Sequence, residues 1–225
     1  MHTMLKCAWV VALVIVITIT GGCFNGEVDC KSTQVASEEK AQNVESITSS
    51  EKVTEVGKLQ YPVVNDREKE VRAAINADIE ALVADIVAKE DQYTKKDMLT
   101  YDVKLDNDDV VAILFKHVAK YEGAAHPLTT VITRVYDKHT GVVKPLTDFV
   151  DITMPEVLEL AGSGIYSVDG AGPRDWDRRF TEDKIPQNYY PDKEGNIWLV
   201  FQAYQLTNGV EGASAVKIPA GRVKK

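Results

Sequence analysis

Residues 110–137 read VVAILFKHVAKYEGAAHPLTTVITRVYD, and the fold turns on how they are read. In VVAILFKHVAKY (110–121) alternation places Val111, Ile113, Phe115, His117, Ala119 and Tyr121 on one face of an extended strand. GAAHP (123–127) interrupts the pattern and TTVITRVYD (129–137) resumes it. Glycine and proline mark turns, so the stretch predicts an antiparallel hairpin with His126 at its bend.

Working outward, LTYDVKL (99–105) alternates Leu99, Tyr101, Val103 and Leu105, and DNDD (106–109) turns it into the strand at 110. Upstream, Val71, Ile75, Ile79, Leu82, Val83, Ile86 and Val87 recur in steps of three and four, which predicts one long helix over 67–89. Asn65 and Asp66 stand where its N-cap would be. LQYPVV (59–64) suits an edge strand, since Pro62 cannot donate to a ladder. MPEVLELAGSGIY (154–166) reads as a weaker helix, with Pro155 in its first turn and Gly162 and Gly164 within it. IWLVFQAYQL (197–206) and SAVKIP (214–219) close the chain as strands, and alternation groups Tyr204 with Trp198, Val200 and Gln202 as sheet packing. The sum is an α+β domain, an antiparallel sheet packed by one long and one weaker helix.

The domain occupies 58–219, followed by a basic tail, 220–225. Ahead of it, residues 8–19 (AWVVALVIVITI) form an apolar run too short to span a bilayer and suited to a signal-peptide core. Residues 1–22 therefore read as a signal peptide. Thr20-Gly21-Gly22-Cys23 is similar to a bacterial lipobox, which makes Cys23 the expected lipidated N-terminus. Residues 23–57 are polar and read as a disordered tether. The expected location is the outer side of a cell membrane, held by lipid. All three cysteines, Cys7, Cys23 and Cys30, precede the domain, so its stability rests on its core alone. The net charge of −8 argues against nucleic acid and against attraction to an anionic membrane, and it suits a basic protein partner.

Three stretches carry a resemblance: YPVV with Ile75-Asn76-Ala77-Asp78-Ile79; YEGAAHP with YDKHTGVVKPLTDFV; and NYYPDKEGNIWLVFQAYQLTNGVEGASAVKIP. Together they resemble the extracellular domain family of the anti-sigma factor RsiV, related domains of which precede the catalytic part of PdaC-type peptidoglycan deacetylases. The resemblance covers 58–219 and implies an envelope-facing module that binds lysozyme or a cell-wall fragment. Seven residues precede the apolar run, so no sigma-binding segment is expected, and no deacetylase domain is expected after Pro219. The family's Gly-Gly-Ala-His turn reads Gly123-Ala124-Ala125-His126 here, which puts an alanine where glycine is freer.

The chemistry-bearing residues are thinly spread. His117, His126 and His139 fall on the strand and on two opposite turns of the predicted hairpin. His126 and His139 should therefore lie ~30 Å apart, and no shared metal is expected. Asp106, Asp108 and Asp109 read as a solvated turn, because glycine and glutamate are missing from the sixth and twelfth positions of a calcium loop. Ser163 lacks the strand that feeds a nucleophile elbow. His126, before a proline, is expected to shape its bend by bonding turn carbonyls. Binding is better motivated. In the long loop 169–195, Trp176, Arg178, Arg179, Tyr189 and Tyr190 are the residue types that dominate interface hot spots, and His126 joins them as a candidate contact. A non-catalytic binding module without cofactor is the expected function. The alternatives are an accessory or weak hydrolase acting on peptidoglycan, and a structural envelope lipoprotein.

Overall fold

The run VVAILF (110–115) is apolar at every position, and all six side chains are buried. A strand of that kind needs cover on both faces, and the computed structural model supplies it. It describes residues 46–65, 68–168, 172–174, 183–208 and 211–224. In chain order the elements are β1 (Ile47–Val53), β2 (Gly57–Val64), α1 (Lys69–Ala88), β3 (Thr94–Asp106), β4 (Val110–Tyr121), β5 (Leu128–Asp137), α2 (Met154–Ser163), β6 (Ile165–Ser167), β7 (Pro173–Arg174), β8 (Tyr189–Pro191), β9 (Ile197–Phe201) and β10 (Ser214–Ile218).

The fold is α+β, with two five-stranded sheets. The first runs β1-β2-β3-β4-β5 and the second β7-β6-β10-β9-β8. Every pairing is antiparallel except β2 with β3. That parallel pair needs a crossover, and α1 is the crossover. On one face of the first sheet, α1 packs Ile75, Ile79, Val83 and Ile86 against Leu59, Leu99, Val111, Ile113 and Phe115. On the other, the alternate residues Ala112, Leu114, Val131 and Val135 meet Tyr189, Ile197, Leu199 and Phe201 of the second sheet, with Val157 of α2 in the same core. Strand β4 thus feeds two cores at once.

Several boundaries differ from the sequence reading. The domain begins before residue 58: Ile47–Val53, placed in the polar tether, pairs with residues 58–64 of β2. An edge strand needs little apolar surface, because backbone hydrogen bonds hold it, and only Ile47 of β1 packs against the core. The rest of the expected tether, and the signal peptide with Cys23, lie outside the described residues. The N-cap of α1 is Glu68. Asn65 instead sits at the end of β2, with its N–H bonded to the Ser46 carbonyl at 2.8 Å. The second helix stops at Ser163, where Gly164 (φ 154°) breaks it and Ile165 opens a strand. Among the described residues no helix is long and apolar enough to cross a membrane.

Candidate functional site

The residues of the three family-like stretches turn out to hold the fold together. The Asn76 side chain accepts from Val64 N–H at 2.8 Å and donates to Val64 O at 3.0 Å, docking α1 on β2. Two residues on, Asp78 accepts from the Tyr136 hydroxyl at 2.8 Å and from Arg134 Nε at 3.0 Å, docking α1 on β5. Burial, then the negative charge of Asp78, raises the Tyr136 phenol far above its ordinary pKa. Asp137 accepts from the backbone N–H groups of His139 and Thr140, both at 2.9 Å, and so folds the turn after β5. Gly141 (φ 77°) completes that turn where a Cβ would stand 2.8 Å from Val71 O.

The second sheet docks by the same means. Asn188 Oδ1 accepts from Thr133 N–H at 2.9 Å, Tyr189 N–H donates to Thr133 Oγ1 at 2.7 Å, and Gln202 brackets Val131 N–H and C=O at 3.0 and 2.7 Å. These bonds cap the outer edge of β5 with side chains. Tyr189 and Tyr190, the expected contact residues, are therefore core: they are 3% and 8% exposed. Tyr189 donates to Lys144 O at 2.6 Å, and burial raises its pKa. Tyr190 stacks on Trp198 at 6.2 Å. This removes both from any partner surface. The signal was in the sequence: DKEG (192–195) is a hairpin turn between YYP and IWLVF, and a strand beside a buried strand is itself buried. Trp176, Arg178 and Arg179 lie outside the described residues.

The three histidines have separate partners. His117 on β4 bonds the buried carboxylate of Asp97 on β3, and no third group completes the pair among the described residues. Sequence reasoning missed this pair, although the β3–β4 register, which sets Asp97 beside Ala119, would have found it. His139 reaches Asp109 Oδ1 at 3.2 Å. His126 is exposed at the hairpin turn, with Nδ1 3.3 Å from Pro127 O. The positive φ of that turn belongs to Gly123 (76°), so Ala124 is accommodated without strain.

Three exposed apolar side chains meet at this end of the first sheet, while Val53, Val103, Val142 and Val143 are exposed singly or in pairs elsewhere. Tyr93 is 55%, Tyr121 37% and Leu128 55% exposed. Tyr121 pairs with Thr94, Glu122 N–H donates to Tyr93 O at 2.7 Å, and Leu128 pairs with Ala119, so the three surround the His126 turn. Tyr204, expected in sheet packing, is instead 58% exposed in a turn after β9 with φ 69°. A bulky residue in that region is a genuine outlier, held there by the bond from its N–H to Thr207 O at 3.0 Å. The chain reaches it after bonding Thr133 and then Val131, so it is heading toward the Leu128 end of β5.

A cleft of about 330 Å³ lies at the opposite end, between the β3–β4 turn, the β8–β9 turn and the C-terminal residues, with Leu105, Phe149 and Ile197 in its wall. Its Asp192 is fully engaged. Burial raises that carboxyl, but the Asn196 amide, the Trp198 indole and the backbone N–H groups of Asn196 and Glu194 together hold it below the ordinary aspartate range.

Among solved structures, this fold is shared with a DUF3298 family protein from Pseudomonas aeruginosa, at 17% identity and a TM-score of 0.51 over 79% of this chain and 93% of that one. A member of the same family from Bacteroides fragilis aligns at 13% identity and a TM-score of 0.48, over 80% and 93%. No protein-family model matches the sequence, and no curated protein matches it. The DUF3298 fold is the domain type to which RsiV-like and deacetylase-associated domains belong, which agrees with the resemblance at the level of fold.

Proposed function

We propose that the chain is a non-catalytic binding module of the bacterial envelope, lipid-anchored through Cys23. Its ligand is a basic protein of the lysozyme type or a peptidoglycan fragment, taken at the pole formed by Tyr93, Tyr121, Leu128 and the His126 turn. The observation that carries this reading is the pole itself. Tyrosine and leucine side chains are left in water around one hairpin end, while the polar residues of the family-like stretches are spent on packing. Exposed aromatic clusters of this kind are how interfaces find their anchors. The net charge of −8 draws a basic partner at long range, against the local charge of Lys96 and Lys120 next to Tyr121, and predicts weakening with salt. Immobilised protein should retain lysozyme or muropeptides at moderate salt, and Tyr121→Ala with Leu128→Ala should weaken retention by about tenfold or more. Retention of neither ligand sinks the reading. So does turnover of muropeptides by the purified protein.

A further inference from the structure

The charges on the first sheet are sorted by face. Side chains alternate along a strand, so the register fixes which of them share the face turned away from α1. On that face Lys96 of β3 stands directly opposite Lys120 of β4, and Lys116 stands opposite Thr100. Lys58 of β2 pairs with Met98 in the parallel ladder, and Met98 with Val118. The second sheet covers this face as far as Leu114. Beyond it Lys116, Met98 and Val118 are half-buried, and Lys58, Lys96 and Lys120 are exposed.

Lys58 has an acidic neighbour, Glu51, at 3.2 Å. Lys96 and Lys120 have no carboxylate partner among the described residues. Like charges directly opposed across a ladder destabilise it. This chain has 34 acidic against 26 basic side chains, so a lysine pair without an acid between them is not what its composition favours. Two strand spacings and four residues spread the four lysines over roughly 10 by 13 Å. They stand on a sheet face, with the thioether and isopropyl groups of Met98 and Val118 among them. Side chains on one such face rise side by side and do not converge on one point. That suits a plane of anions with apolar matter beneath it better than a single phosphate.

We propose that this face docks on an anionic phospholipid surface. The net charge of −8 conceals it: Glu51 offsets Lys58, and Asp102 stands on the same face nearer the second sheet, but no carboxylate offsets Lys96 or Lys120 among the described residues. The experiment is flotation of the full chain with vesicles of phosphatidylcholine alone and with vesicles that also contain phosphatidylglycerol. The apolar residues 8–19 and any lipid on Cys23 contribute to both arms, so the ratio of the two affinities isolates the charge-dependent part. Each lysine near such a surface is worth about fivefold in affinity. Lys96→Ala with Lys120→Ala should therefore lower the ratio about thirtyfold, and raised salt should do the same to the wild type. Lys96→Glu creates a cross-strand pair with Lys120, so it should lower the ratio while leaving the urea midpoint unchanged or raised. That separates lost binding from lost folding. A ratio that all these variants leave unchanged overturns the proposal. So does polyglutamate that binds as tightly as the anionic vesicles with the same dependence on lysine, since the occupant is then an acidic protein. Lysozyme retention does not enter this measurement, so the binding reading above can fail while this one stands.

Discussion

Asp192 and Asn76 show how single polar side chains set the stability of this domain. Asp192 closes the β8–β9 turn through bonds from Glu194 and Asn196 N–H at 3.0 and 2.8 Å, and it anchors the Trp198 indole at 2.7 Å. These bonds favour the carboxylate, so the folded pKa lies below the unfolded one. The resulting stabilisation is complete above the ordinary aspartate value near ~4 and is lost as pH falls through the lower, folded value. Asp192→Asn should lower stability by about 1 kcal/mol at neutral pH, a figure kept small because the site is part-exposed. The two proteins should converge as urea midpoints are followed into acid, and a gap that stays constant with pH would exclude the carboxylate as its source. Asn76 works without charge. Asn76→Ala leaves both polar groups of Val64 without their partner and should cost about 2 kcal/mol in urea unfolding. Asn76→Asp keeps the acceptor for Val64 N–H but loses the donor to Val64 O, so it should recover part of that loss.

Among the elements, the parallel pair β2–β3 has the least tolerance. Gly57 lies against Asp97, and a Cβ there would stand 1.5 Å from the Asp97 carbonyl oxygen. Gly57→Ala must push β2 off β3, and with it the paired edge strand β1. We expect a loss on the order of 3 kcal/mol or failure to fold, measured by far-UV circular dichroism and soluble yield. Little of this was legible in the sequence, where Gly57 passed for the last residue of a tether. Strand β4 and helix α1 were legible because each buries a regular apolar stripe within a single element. Strand β1 was not, since its contribution is a backbone ladder that any polar sequence can make. The second sheet was half legible. IWLVF and SAVKI read as strands, but YYP is too short to show a period, and its aromatics suggested an interface. The same limit applied to the pole. Tyr121 and Leu128 belong to strands that were read well, yet their exposure depends on where α1 and the second sheet stop, and no local pattern encodes that.

At the scale of the whole described domain, β4 makes the two cores one cooperative unit. Val111, Ile113 and Phe115 belong to the core beneath α1, and Val110, Ala112 and Leu114 to the core against the second sheet. Neither core can open without stripping one side of the same strand. The side-chain bonds from Asn188 and Gln202 to β5 tie the second sheet to the first along its edge as well. A lesion in the second sheet should then be felt in full by α1, with which it shares no core. Leu199→Ala, at a fully buried site of β9, should cost about 3 kcal/mol. The measurement is native-state hydrogen exchange of amides in α1 and β9, which should open in one event with the same free energy in the wild type. In the variant both sets should fall by that one amount. If the β9 amides lose protection while those of α1 keep it, the sheets unfold separately, and the shared strand does not couple them.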